Sequence, residues 1–219
     1  MSSAAAARPQ DDNGAGLKKR LGVFGGAFDP PHHAHVALAQ AALAQLALDA
    51  LHIVPTGLAW HKARQLSAAA DRLAMTRLAF AGMERVVVDE REIHRPGPSF
   101  TVDTLVALQA EYPGAQLYLV LGADQVAALA SWHRWQDVLK IAIICIADRT
   151  SGAGVEGIFK PEYLAGQAVQ TLKLPLMPVS ATDIRQQIAS ADLGPPGWHA
   201  LVPEPVARYI ERHRLYLSS

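Results

Sequence analysis

Short, continuous apolar runs, each followed by a longer stretch with helical spacing, do most to narrow what this chain can fold into. The runs lie at 20–24, 51–55, 85–89, 116–122, 141–147 and 171–177, and are rich in Val, Ile and Leu rather than alternating with polar residues. Strands covered on both faces read this way. Helical patterns occupy 34–48, 68–81, 101–112, 124–129 with 135–140, 181–190 and 203–213, and Pro203 and Pro205 suit the first turn of the last one. Such alternation predicts an α/β fold, a single doubly wound parallel sheet with helices on both faces. Ligands of these sheets bind beyond the carboxyl ends of the strands, near the switch in strand order. The residues that follow each run therefore carry the functional information.

Composition removes several classes of function. The chain has 219 residues, half of them hydrophobic, enough for one good core or two small ones. Its 20 basic and 20 acidic residues cancel, so the basic excess that a polynucleotide partner requires is missing. No run approaches the ~18 apolar residues of a membrane span. Residues 1–18 contain Asp11 and Asp12 and lack the hydrophobic centre of a secretion signal. They are expected to form a disordered tail on a cytoplasmic protein, with residues 19–219 as the domain. Residues 152–166 are the loosest interior part and are expected to be a flexible excursion. Cys145 lies inside "IAIICIAD" and reads as a core residue rather than a reactive thiol. The sequence carries no feature that decides the oligomeric state.

The segment "GVFGGAFDPPHHAHVALAQ" follows the first run. Gly25 and Gly26 permit a sharp turn and a close backbone approach to a ligand. The helix behind them offers unpaired amides and a positive dipole end, which favour an anion. His32 and His35 are three apart and share a face on a helical first turn, where two imidazoles suit phosphate oxygens. A His-x-x-His pair also suits a metal, but no Cys or third carboxylate accompanies it at zinc-like spacing except Asp29, so no protein metal site is expected. Surface histidines without a role are the bland alternative. Neither G-x-G-x-x-G nor the Walker lysine motif is present, which argues against a dinucleotide-binding dehydrogenase and a P-loop enzyme.

"GGAFDPPHHAH" resembles the G-x-F-D-P-x-H-x-G-H signature of the nucleotidyltransferase superfamily, and "VSATDIR" resembles its second signature, I-S-[ST]-T-x-I-R. Both occur in the expected order, each after a predicted strand. Three further segments, "DEREIHRPGPSFTVDTL", "LGADQVAALASWHRWQDVL" and "LVPEPVARYI", are similar to bacterial nicotinate mononucleotide adenylyltransferases. The resemblance runs from Arg20 to about Leu215 and implies the Rossmann-like nucleotidyltransferase architecture. Ala27 stands where that family commonly has Thr, Ala34 where it has Gly, and His133 where Tyr is frequent. A pantetheine-phosphate adenylyltransferase would lack the "DEREIHRPGPSFT" and "SW" segments, and a nucleotide sensor without turnover would not need every phosphate-facing residue of both signatures.

The resemblance implies that the phosphate of nicotinate mononucleotide attacks the α-phosphorus of ATP. Pyrophosphate leaves and deamido-NAD forms, without an enzyme nucleophile. It implies His35, His32 and Arg185 as the catalytic residues, with His35 donating to the α-phosphate. The ATP site would comprise Gly25, Gly26, Ala27, Phe28, His32, His35, Gly122, Asp124, Ser180, Thr182 and Arg185. Asp124 would accept from a ribose hydroxyl, and Ser180, Thr182 and Arg185 would hold the β- and γ-phosphates. Ser180 also fits a helix N-cap, and Arg185 a solvated helix residue. The acceptor would meet Thr101, Trp132, His133, His61 and Lys62. Trp132 would stack on the pyridinium ring, and backbone N–H groups near Thr101 and His133 would receive the carboxylate. Trp132 also reads as a core or hinge tryptophan, with Trp135 the better core candidate, and His61 and Lys62 as a solvated loop. Asp29 is expected to fix the turn, and Mg²⁺ to arrive on the triphosphate.

Overall fold

The computed structural model describes residues 18–58, 66–148, 161–190 and 197–217. Six strands form one sheet: β1 (Arg20–Gly26), β2 (Ala50–Pro55), β3 (Val86–Val88), β4 (Gln116–Gly122), β5 (Ala142–Asp148) and β6 (Val169–Lys173). Their order is β3-β2-β1-β4-β5-β6, and every neighbouring pair is parallel. The order reverses between β1 and β4, so the two strands at the switch point are the ones followed by "GGAFDPPHHAH" and "GADQ". The expected doubly wound parallel sheet is the observed one.

The helices are α1 (His33–Gln45), α2 (Ala69–Ala79), α3 (Arg91–His94), α4 (Thr101–Glu111), α5 (Ala123–Ala128), α6 (Trp135–Ile141), α7 (Ala181–Ala189) and α8 (Glu204–His213). Alternation along each strand divides the core into two layers. Phe24, Tyr118, Val120, Cys145 and Ala147 face one way and pack with α1, α2, α7 and α8. Leu21, Val23, Leu117, Leu119, Leu121, Ile144 and Ile146 face the other way and pack with α4, α5 and α6. Cys145 is fully buried, and burial pushes its thiol up to about 12, so it is a core residue as its apolar run suggested.

Several boundaries differ from the sequence reading. The last strand ends at Lys173 rather than at 177. Pro175 and Pro178 interrupt the segment after it, and proline cannot donate to a sheet ladder. Helix α1 stops at Gln45 because Ala47 adopts a left-handed backbone that breaks the helix. The short α3 lies within a segment read only as a post-strand loop. Most of the expected excursion at 152–166, and the tail at 1–17, lie outside the described residues.

Candidate active site

At the carboxyl end of β1, the two glycines do not make the turn by adopting unusual backbone angles. Both belong to the strand, and neither has a positive φ. The left-handed residue is Phe28, with φ +48°. What Gly26 supplies is space, since a Cβ there would lie 3.1 Å from the Phe28 ring. Phe28 is buried, and its ring meets Phe24, Phe80 and His35 edge-on. Packing therefore holds a backbone conformation that a bulky residue otherwise resists.

His32 and His35 come together as the spacing predicted, though by a different route. His32 is the residue before α1, and its ring stacks on that of His35 with centroids 3.8 Å apart. The His32 amide donates to His35 Nδ1 at 3.1 Å. An accepting Nδ1 places the proton of a neutral imidazole on Nε2, which makes the other edge of His35 a hydrogen-bond donor. His32 is buried, whereas His35 keeps partial exposure.

The second signature is brought onto the first. Arg185, on α7, donates from Nη1 to the Asp29 carbonyl at 2.7 Å across 156 positions of sequence, and from Nη2 to Thr182 Oγ1 at 3.1 Å. Ser180 caps α7, with its hydroxyl accepting from the Asp183 amide at 3.1 Å and donating to the Asp183 carboxylate at 2.7 Å. The capping reading of Ser180 is thus real, and it leaves the hydroxyl at the start of a helix beside Thr182. Asp29 does fix the turn. Its carboxylate accepts from the Ser67 amide at 3.2 Å and from the Tyr216 hydroxyl at 2.7 Å. Burial, joined by the Asp29 carboxylate, drives the Tyr216 hydroxyl far above the ordinary phenol range.

Gly122 ends β4, and Asp124 lies in the first turn of α5, where it is exposed and accepts from Gln125 at 2.8 Å. A Cβ on Gly122 would lie 2.6 Å from Asp124 Oδ1, so this glycine lets that carboxylate fold back over the strand end.

The residues expected to meet the acceptor form a second group. Thr101 is the first residue of α4, a position whose amide the helix itself does not pair. The neighbouring Phe100 ring lies 4.3 Å from that of His133, bringing the Thr101 and His133 segments together. Trp132 is half-buried against the α4 layer of the core. Trp135, the tryptophan expected in the core, is instead half-buried with its ring edge-on to Tyr163 at 5.3 Å, because α6 turns it toward the segment before β6. His61 and Lys62 lie outside the described residues.

Beneath this group the acidic residues of "DEREIHRPGPSFT" are structural. Burial raises the Asp89 carboxyl, but hydrogen bonds from His52 at 3.0 Å and from Arg91 outweigh it and hold the group far below its ordinary value. Burial raises the Glu92 carboxyl, which accepts from Thr104 Oγ1 at 2.7 Å. Among the described residues, no three His, Cys, Asp or Glu side chains converge as a metal site.

The sequence reading missed Arg72 and Tyr216. Each acts through partners remote in sequence, and neither lies in a local pattern that separates it from ordinary helix or tail residues. Hydrogen bonding joins both to the turn after β1.

The cytidylyltransferase-like family model matches residues 23–187. A probable nicotinate-nucleotide adenylyltransferase of Albidiferax ferrireducens is 54% identical over 92% of this chain and 100% of its own length. The chain belongs to the nicotinate-nucleotide adenylyltransferase family. A second probable member, from Methylibium petroleiphilum, is 38% identical over 92% of this chain and 94% of its own. The fold is shared with the Plasmodium falciparum nicotinic acid mononucleotide adenylyltransferase complexed with APC. That structure superposes with a TM-score of 0.73 at 18% identity, covering 90% of this chain and 97% of the other. The same enzyme complexed with NaAD gives a TM-score of 0.71 at 19% identity, with the same coverage. Among the described residues, no helix is long and apolar enough to cross a membrane.

Proposed function

We propose that this chain transfers AMP from ATP to nicotinate mononucleotide, forming deamido-NAD and pyrophosphate in NAD biosynthesis. The observation that carries the reading is the 2.7 Å hydrogen bond from Arg185 to the Asp29 carbonyl, which joins the two signature segments into one site at the switch point of the sheet. An oxygen of the acceptor's phosphate attacks the α-phosphorus. The new P–O bond forms as the bridging bond to the β-phosphate breaks, and pyrophosphate carries away that electron pair. No protein nucleophile enters.

The work of the protein is positioning and charge stabilisation. His35 Nε2–H donates to a non-bridging oxygen of the α-phosphate, where charge builds in the transition state. His32 stacks beneath it and keeps it in that tautomer through its amide. Arg185, Thr182 and Ser180 receive the leaving phosphates, while Gly25, Gly26, Ala27 and Phe28 bring backbone close to the nucleotide. Asp124, near Gly122, suits a ribose hydroxyl. Thr101, Trp132 and His133 take the nicotinate ring and its carboxylate, and His61 and Lys62, which follow the second strand in sequence, would close over the phosphates.

Mg²⁺ bound through the triphosphate supplies neutralisation of phosphate charge. Such a cation would be held by phosphate oxygens and water rather than by the turn, because the Asp29 carboxylate is buried and already accepts from Ser67 and Tyr216.

A coupled pyrophosphate-release assay with ATP and a panel of acceptors tests the reading. Release dependent on nicotinate mononucleotide is expected. Release dependent only on phosphopantetheine, or nucleotide binding with no release, would reject it.

A further inference from the structure

We propose that Arg72, on α2, is a positioning residue for ATP: from behind the turn after β1, it aims that turn's backbone at the phosphates. Arg72 lies outside both signatures and is the largest fully buried side chain, with 2% exposure. A guanidinium stays charged and presents its donors in a rigid planar fork, so burying one is costly unless those donors are used. Among the described residues, three carbonyls accept from it. Nη1 donates to Ala27 at 3.0 Å, Nη2 to Gly57 at 3.2 Å and Nε to Ser67 at 3.0 Å. Ala27 follows β1, and Gly57 follows the adjacent strand β2, so one side chain joins the ends of neighbouring strands.

The consequence for the site comes from peptide geometry. In a trans peptide the carbonyl and the following N–H point in opposite directions. With the Ala27 carbonyl turned to Arg72, the Phe28 amide is turned away from it. The carbonyl on the far side of Phe28, that of Asp29, is held in turn by Arg185. Two arginines therefore grip the carbonyls on either side of the left-handed Phe28. Arg72 also adds a fixed positive charge behind a turn that receives phosphates, in a place solvent screens weakly.

The inference rests on the ATP reading above, and the experiment separates the two. Equilibrium dissociation constants for a non-hydrolysable ATP analogue and for nicotinate mononucleotide are measured for the wild type, Arg72→Met and Arg72→Lys, alongside steady-state kinetics and thermal unfolding. A wild type that does not bind the analogue overturns the ATP reading itself. Given wild-type binding, Arg72→Met is expected to raise Kd and KM for ATP about tenfold or more while the acceptor's Kd stays unchanged. Arg72→Lys keeps the charge without the fork and should recover only part of that loss. Unchanged ATP affinity in the Met variant overturns the proposal, as does a parallel loss for both nucleotides or a fall confined to the active fraction. If the Met variant does not fold, Arg72→Lys decides: weaker ATP binding with intact acceptor binding supports the proposal, and unchanged ATP binding overturns it.

Discussion

His35 is held in a single tautomer by one backbone hydrogen bond, from the His32 amide to Nδ1. The ring is fixed further by stacking on His32 and by the edge of Phe28. A donor so fixed loses little freedom when charge develops on the α-phosphate. His35→Ala should therefore lower turnover by on the order of 10²–10³ with the fold retained, the cost of one oriented transition-state donor. Steady-state turnover together with a circular dichroism melt checks this, and near-normal turnover would refute the assigned role. The sequence displayed His32 and His35 because their spacing is local. It could not display the tautomer, nor that the turn's left-handed residue is Phe28 rather than a glycine. The tautomer depends on where the His32 amide points once the turn is folded, and the left-handed Phe28 on its ring contacts with Phe24 and with Phe80, which lies far along the chain.

At the scale of elements, Asp89 ties the end of β3 to its neighbours, receiving hydrogen bonds from His52 on β2 and from Arg91 on α3. The folded protein lowers this carboxyl from its ordinary 3.8, so near that pH the unfolded chain binds the extra proton. The stabilisation is complete above the ordinary value and fades as pH falls toward the folded one. Asp89→Asn should cost about 1–3 kcal/mol at neutral pH, a charge-assisted hydrogen bond's worth. In urea melts, the gap from wild type should narrow below about pH 4; a gap independent of pH would refute the ion-pair account.

Helix α4 presents Thr101 at its amino end beside the Phe100–His133 contact, and Trp132 lies against the same layer. Backbone donors at such a site suit a carboxylate, which accepts at both oxygens. A carboxamide would turn its NH₂ toward one of them, at a cost of roughly 1–3 kcal/mol. Nicotinate mononucleotide should therefore be preferred over its amide by ~10²-fold or more in kcat/KM at saturating ATP. Equal values would reject the carboxylate pocket while leaving adenylyl transfer standing. The element order was legible because continuous apolar runs mark buried strands, and the runs at 116–122 and 51–55 match β4 and the core of β2. The end of β6 was less legible, since Leu174, Leu176 and Met177 extend the apolar run past the point where Pro175 ends the pairing.

Across the whole molecule, the two ends of the chain relate differently to the site. The sheet is engaged from Lys19, whose carbonyl accepts from the Gln116 amide at 2.8 Å at the start of β4, away from the strand ends that carry the chemistry. Deleting residues 1–17 should therefore leave melting temperature and turnover unchanged, since their sequence shows no periodic apolar face. The opposite end reaches the site. Helix α8 packs on α2, with Tyr209 donating to Asp71 at 2.9 Å, and beyond it the Tyr216 hydroxyl donates to the buried Asp29 carboxylate across 187 positions. That one bond couples the last turn of the chain to the turn whose neighbouring carbonyls Arg72 and Arg185 hold. No local motif could reveal it, because tyrosine near a terminus is an ordinary surface residue until its partner is known. Tyr216→Phe keeps the ring and removes only the donor. It should cost about 1.5–3 kcal/mol, as for a hydrogen bond to a charged group. In a chain of this length that corresponds to a fall of about 3–12 °C in melting temperature. Because Asp29 anchors the phosphate turn, kcat/KM for ATP should fall as well, with KM for the acceptor unmoved. Thermal melts and two-substrate kinetics on the tail deletion and on Tyr216→Phe check the contrast. It fails if the tail deletion lowers the melting temperature as far as Tyr216→Phe does, or if Tyr216→Phe leaves the use of ATP untouched.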